Sequence, residues 1–377
     1  MRSAQVLHGV LELLRCFYRV RELIHWMQRA TSSFSSKRAA FYARIWNEAA
    51  KEIGASCVEI GGGVQEVSIE GRRTRVYGRY TEIDDPVTLQ VAENKAVVLS
   101  MLRREGISVP RFVECDIQDI ECAKGFVRKI DKKCVVKPAN GTAGGVGVTT
   151  GVEGTWDLLK AAALASVFDR RILVEELIRG DVYRLLYLHG ELLDAVVRKP
   201  PTVTGDGKLS IRALVKQENA LRLENGSERA HCRLKIDMDM LKCLREQNLS
   251  LASVPGEGEV VRVKTVVNEN RGRENESATE ALSKSIIIEG ARAANVIGAK
   301  MAGVDIITCD PTVALSESGG AVIEVNTVPG YYYHYMKRGD PFPVAIYVLK
   351  EVLGLRDSMN NNKDWKKYGR KDEALFR

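Results

Sequence analysis

Apolar residues recur at helical spacing near the start of the chain, where Val6-Leu7, Val10-Leu11, Leu13-Leu14, Phe17-Tyr18 and Leu23-Ile24 form a stripe broken by Thr31-Ser32-Ser33. A second helical stretch covers 37–53. Such leucine and aromatic stripes are more often core or subunit contacts than membrane anchors. The period then drops to two, predicting short strands at 57–60, 64–69 and 74–77 joined by Gly61-Gly62-Gly63 and Glu70-Gly71 turns. Helical spacing returns over 91–105, closed by Gly106 and followed by Pro110. Residues 125 to about 190 are strand-rich, with a helix around 156–164 and a hairpin whose arms, 185–187 and 192–197, flank His189-Gly190. An amphipathic helix over 277–296 precedes an apolar strand, and the region after Pro343 is again helical. There is no internal repeat.

The pattern predicts an α+β protein in five parts: a helical and short-strand module (1–86), a linker helix region (87–124), a strand-rich segment (125–190), a large C-terminal segment (191–355) and a polar tail (356–377). With 377 residues, 45% of them hydrophobic, the chain is long enough for two or three domains with sizeable cores. It has no apolar run near the ~20 residues a membrane span needs, and no short apolar core before a cleavage site, so a cytoplasmic protein is expected. Eight cysteines (16, 57, 115, 122, 134, 232, 243 and 309) lack any C-x-x-C pair and read as reduced structural thiols. The net charge of +7 comes from 56 basic and 49 acidic residues that are interspersed, without the stripe a nucleic-acid binder shows. The densest basic run, 363–371, lies in the polar tail.

Two segments carry candidate chemistry. In the first, Val304-Asp305-Ile306-Ile307 and Val322-Ile323-Glu324-Val325-Asn326 place Asp305, Glu324 and Asn326 on two apolar strands, with Glu324 and Asn326 on one face. Unpaired carboxylates beside a core are costly, and a hard divalent cation with oxygen ligands removes the difficulty. Edge strands with outward polar residues fit the same pattern. In the second, Val135-Val136-Lys137-Pro138 runs into a glycine-rich turn containing Gly141, Thr142, Gly144 and Gly145, whose N–H groups can cradle phosphate oxygens while Lys137 adds a charge. A plain glycine-rich hairpin also fits. The P-loop and dinucleotide-binding fingerprints are absent.

In this order the motifs resemble the ATP-grasp superfamily, more closely its amino-acid and peptide ligase branch of cyanophycin synthetase, D-alanine-D-alanine ligase and glutathione-forming ligases, over about 91–354. The block Arg198-Lys199-Pro200-Pro201 through Gly205-Asp206-Gly207 is especially like the cyanophycin-synthetase type, although a strand, turn and helix explain its glycines equally well. The resemblance implies an ATP-grasp fold in which two α+β subdomains, a lid (125–190) and a catalytic subdomain (191–355), clamp ATP. It implies that Lys95 and Lys137 hold the phosphates, Glu175, Glu176, Leu177 and Ile178 line the adenine, and Asp181 takes the ribose hydroxyls. Asp305, Glu324 and Asn326 would bind two Mg²⁺ ions, with Mn²⁺ as a substitute.

The implied activity is an ATP-dependent carboxylate-amine ligase that forms an acyl phosphate and joins amino acids or small peptides, acting on small molecules as a homodimer with no nucleic-acid or membrane partner. One departure is Gly303, where relatives carry an arginine two residues before the metal aspartate. Arg198 and Arg271 are the candidates for the missing guanidinium, and each also reads as a surface ion-pair residue. Tyr331 and His334 fall where related ligases contact substrate; the four neighbouring tyrosines form either a pocket or packing. The N-terminal module lacks the βαβ pattern of many relatives, so acceptor specificity does not carry over. Three rival readings are an ATP-binding regulator without catalysis, a ligase acting on a polymer or protein end, and a basic nucleic-acid binder.

Overall fold

The computed structural model describes residues 2–29, 34–141, 145–224, 230 and 232–355. Thr142, Gly144, the Thr31-Ser32-Ser33 break and the polar tail lie outside the described residues.

The chain begins with helices α1 (Arg2–Arg29) and α2 (Phe34–Glu52) and the antiparallel meander β1 (Ser56–Gly61), β2 (Val64–Ile69) and β3 (Arg72–Tyr77). Helices α3 (Pro86–Glu93) and α4 (Lys95–Arg104) follow where the sequence predicted one helix. Asn94 separates them: it closes α3, and its side chain accepts the Val97 N–H at 3.0 Å to start α4. A four-stranded sheet in the order β4-β7-β5-β6 comprises β4 (Phe112–Asp116), β5 (Cys134–Pro138), β6 (Thr149–Val152) and β7 (Arg171–Glu176); helices α5 (Ile120–Lys129) and α6 (Gly154–Ala165) connect it. The second large sheet runs in the order β12 (Asn275–Ser277), β9 (Glu191–Arg198), β8 (Asp181–Leu188), β13 (Met301–Thr308) and β14 (Ala321–Asn326).

An inserted unit comes next, with β10 (Thr202–Thr204), α7 (Ile211–Leu223), α8 (Met238–Glu246) and β11 (Val260–Arg262). The chain returns through β12 (Asn275–Ser277), α9 (Lys284–Val296), β13 (Met301–Thr308), the short α10 (Leu315–Ser318) and β14 (Ala321–Asn326), ending in α11 (Tyr332–Tyr335) and α12 (Val344–Val352). Two expected boundaries shift. The α9 helix starts at Lys284, where Ser283 caps it, because 275–277 is drawn into pairing with β9. The lid sheet ends at Glu176 rather than near 190 and gains β4, because β8 pairs with β13 along its whole length.

Apolar packing on the faces of these sheets and within the insertion holds the elements together. One face of the five-stranded sheet, with Leu185, Tyr187, Val304, Ile306, Val322 and Val325, is sealed by Val98 and Leu102 of α4 and by Ile286 and Ala293 of α9. Part of its other face packs Leu186, Leu188 and Met301 under Ile45 and Trp46 of α2, the 331–335 tyrosines and α12. The lid sheet is covered by α5 and α6, and Leu11 and Tyr18 of α1 join that core, so the two N-terminal helices serve different subdomains. A smaller core lies inside the insertion. Cys115 and Cys122 form a disulfide in the lid, Cα to Cα 6.1 Å, which corrects the reduced-thiol reading for that pair. Spacing in sequence carries no information about such a through-space meeting.

Candidate functional site

Ladder register decides which side chains share a face, since directly opposed residues point the same way. Asp305 opposes Glu324 on β14 and Arg184 on β8, and Gly303 opposes Asn326. Val182 opposes Arg198 on β9, and Leu186 opposes Asp194. The face of the sheet turned away from α4 and α9 therefore carries Arg198, Arg184, Asp194, Asp305, Glu324 and Asn326 together. A β-bulge between Asp305 and Ile306 interrupts the β13–β14 ladder beside the two carboxylates.

The side that carries the two candidate phosphate lysines is assembled from three elements. Lys95 opens α4, and its N–H donates to the carbonyl of Ala139 at the end of β5 (3.1 Å), which brings the helix start to the glycine loop. Its ammonium lies 3.9 Å from Glu324. Lys137 on β5 pairs with Glu175 on β7 at 2.8 Å, and both are buried. Burial holds the Lys95 pKa below its ordinary value against the pull of Glu324, and burial likewise raises that of Glu175 despite Lys137. The loop itself starts at Asn140, whose N–H and side-chain amide both donate to Asp169 (2.8 and 2.9 Å). Gly141 (φ +69°) and Gly145 (φ +73°) need the left-handed backbone. A Cβ on Gly145 would lie 2.5 Å from the Asn268 amide, so the loop sits directly against the far subdomain.

The structure sorts the remaining candidates. Glu175 and Glu176 are neighbours on a strand and point to opposite faces; Glu176 turns away from Lys137 and takes Arg111 and Lys132, at 3.0 and 3.1 Å. Leu177 and Ile178 follow in the link between the two sheets, and Asp181 pairs with Lys199 at 2.5 Å. Arg198 is 2% exposed, lies 4.1 Å over the Tyr333 ring, and donates to Asn268 Oδ1 at 3.3 Å, leaving its Nε buried without a partner. Arg271 is instead engaged by Glu274 and Thr202 (2.9 and 3.0 Å), where it fastens the turn before β12. Tyr331 is 1% exposed and packs its ring on Tyr42 and Trp46, so it is core rather than pocket wall. His334 is fully buried, with Nδ1 2.7 Å from Asp194, and Lys337 reaches the same carboxylate at 2.6 Å. Burial lowers the His334 pKa although Asp194 pulls it up.

Sequence reasoning missed Arg184, Asp194, Lys337 and Asn268. The first two carried a usable signal, a charge alternating with apolar residues on a strand; the others are placed by loops. Arg184 also changes the electrostatic argument, because it pairs with Asp305 through both oxygens, Nη2 to Oδ2 being 2.7 Å. A cation is therefore not the sole means of compensating that carboxylate. Among the described residues no three His, Cys, Asp or Glu side chains gather as a closed metal cage. Two carboxylates and one amide oxygen on one face, Asp305 buried and Glu324 and Asn326 partly exposed, suit Mg²⁺, which keeps waters and takes phosphate oxygens as its other ligands.

The two α+β subdomains with lysines on one side and an acidic, amide-bearing ladder on the other form an ATP-grasp fold, and the chain is similar to ATP-grasp ligases. It is 31% identical over 276 residues to the glutathione biosynthesis bifunctional protein GshAB of Enterococcus faecalis, covering 72% of this chain and 36% of that one. It is 28% identical over 281 residues to cyanophycin synthetase of Crocosphaera subtropica, covering 74% and 31%. In fold it is similar to a bifunctional glutathione synthetase from Pasteurella multocida, with a TM-score of 0.53, 24% identity, and coverage of 80% of this chain and 42% of that one. The chain spans about a third of the length of the curated relatives it matches. No protein-family model matches it. Among the described residues no helix is long and apolar enough to cross a membrane.

Proposed function

We propose that the protein is an ATP- and Mg²⁺-dependent carboxylate-amine ligase acting on amino acids or small peptides, in the synthesis of a small molecule or peptide natural product. The observation that carries this reading is the convergence of Lys95, Lys137 and Glu175 with Glu324 and Asp305, two subdomains meeting at one charged face. Forming an amide from a carboxylate and an amine is uphill in water, so the carboxylate must first be activated. Transfer of the γ-phosphoryl group of ATP to a carboxylate oxygen yields ADP and an acyl phosphate; attack by the amine on the acyl carbon then forms the amide and expels phosphate.

The chain's own contribution is positioning and charge. Lys95 and Lys137 hold phosphate oxygens, the glycine loop offers backbone N–H donors, and Asp305, Glu324 and Asn326 hold magnesium, which when bound neutralises the charge spread over the transferring phosphoryl group. Arg198 would take an anionic oxygen of the acyl group, a reading supported by its buried unpartnered Nε and its face on Tyr333. Nucleotide release measured with Mg²⁺, ATP, pooled amino acids and dipeptides, and hydroxylamine as a trap tests the reading. ADP with a hydroxamate is the expected result. AMP with pyrophosphate overturns the acyl-phosphate mechanism.

A further inference from the structure

The central row of the site face is ordered Arg184, Asp305, Glu324 across three adjacent strands, and Lys95 closes it 3.9 Å beyond Glu324. Two carboxylates are thus flanked by two cations. Lys137 and Glu175 beside them cancel each other at 2.8 Å. The face that would hold magnesium therefore carries no net charge from these side chains, an unusual balance for a site meant to capture a free divalent ion by attraction. The balance is built in. Arg184 is 6% exposed, and it meets Asp305 directly opposite it on the neighbouring strand, with Gly303 beside its side chain. A Cβ at Gly303 would lie 2.9 Å from Pro329 Cβ, 3.0 Å from Arg184 Cδ and 3.2 Å from its Nη1, so the bare glycine leaves room for both side chains. The guanidinium takes both Asp305 oxygens in a fork, which fixes the carboxylate plane and leaves each oxygen a further lone pair.

We propose that Arg184 is the positioning residue of the metal site: it orients Asp305 and holds down its affinity for a free divalent ion, so that the metal binds together with the nucleotide and not ahead of it. The inference rests on the reading of Asp305, Glu324 and Asn326 as the magnesium donors. It explains why the arginine sits on β8 while the position two before Asp305 is glycine. A side chain at 303 would crowd Pro329 and the Arg184 side chain together. The phosphates of the nucleotide supply the negative charge that this face lacks, which turns a neutral site into an attractive one.

The test uses Mn²⁺ as the probe, counted by electron paramagnetic resonance on the whole protein, with and without ADP. The native protein is expected to bind Mn²⁺ weakly alone and much more tightly with ADP. Arg184→Gln keeps a hydrogen bond to Asp305 and removes the charge; because a unit charge beside a divalent ion is felt even at water-like screening, its affinity for Mn²⁺ alone should rise about tenfold. Arg184→Lys keeps the charge and loses the fork, so Mn²⁺ alone should stay weakly bound while kcat falls with KM for ATP little changed. A purely structural arginine would not separate the two variants in this way. Unchanged or weaker Mn²⁺ binding in soluble Arg184→Gln overturns the proposal, as does tight Mn²⁺ binding to the native protein without ADP. If Mn²⁺ fails to bind any form even with ADP, the metal assignment itself falls, an outcome separate from the first two.

Discussion

Replacing Lys137 by Met removes the partner 2.8 Å from a buried carboxylate and leaves Glu175, 3% exposed, without its direct ion pair. The cost has a ceiling, because Glu175 can take up a proton instead of remaining ionised. From its ordinary value of 4.5, protonation at pH 7 costs about 3.4 kcal/mol at 1.36 kcal/mol per pH unit. Breaking buried ion pairs costs roughly 3–5 kcal/mol, so a loss of about 3 kcal/mol is expected. The pH dependence fixes the cause. Glu175 already has a folded-state pKa above its unfolded value, through burial, and loses the lowering effect of Lys137 in the variant. A carboxyl raised in this way contributes fully below the unfolded pKa, and its contribution is lost as pH rises through the folded pKa.

The deficit relative to the native protein should accordingly shrink toward about 0.7 kcal/mol at pH 5, where only half a pH unit separates the solution from 4.5. Urea unfolding followed by amide exchange of β5 and β7 measures it where the pair lies. Lys137→Met with Glu175→Leu should regain most of the stability, since no charge is left buried, while nucleotide affinity stays lost. A deficit that is the same at pH 7 and pH 5, or a double variant no more stable than the single, refutes the reasoning.

Two further outcomes follow from other parts of the site. Tyr333→Ala withdraws the ring 4.1 Å beneath Arg198, and with a cation–π contact worth about 0.5–2 kcal/mol, kcat/KM should fall roughly two- to thirtyfold. Tyr333→Phe should stay near native, which separates the ring from its hydroxyl in steady-state kinetics. Gly180→Ala places a Cβ 2.2 Å from the Thr308 carbonyl at φ +134°, between the two sheets, and should cost about 3 kcal/mol or more in a thermal melt. Gly106→Ala, at φ +70° with open space around it, should cost only about 1 kcal/mol. Equal losses at the two positions would contradict the close approach.

Local periodicity was enough to read the elements that lie within one stretch of chain. The β8–β9 hairpin, α6, α12 and the N-terminal meander follow directly from their own residues, because a turn or an amphipathic stripe is encoded within about ten positions. The superfamily was legible too, because its motifs keep a fixed order along the chain. Where the reading slipped, a distant partner intervened: 275–277 became a strand because β9 lies beside it, and β8 left the lid because β13 takes its full length.

The site divides in the same way. Asp305 and Glu324 stand out in sequence because a charge inside an apolar strand demands compensation, but the compensating groups come from other strands and helices. Which one arrives is decided by register, by the Gly303 opening and by the placement of α4. Tyr331 and Tyr333 differ by two positions and look alike in the sequence; α2 buries the first in the core, while Arg198 stacks on the second. Residue types and their spacing determined what chemistry this chain can perform. The folded structure alone decided which charges meet, because Coulomb attraction and exclusion from water act between groups close in space, whatever the length of chain between them.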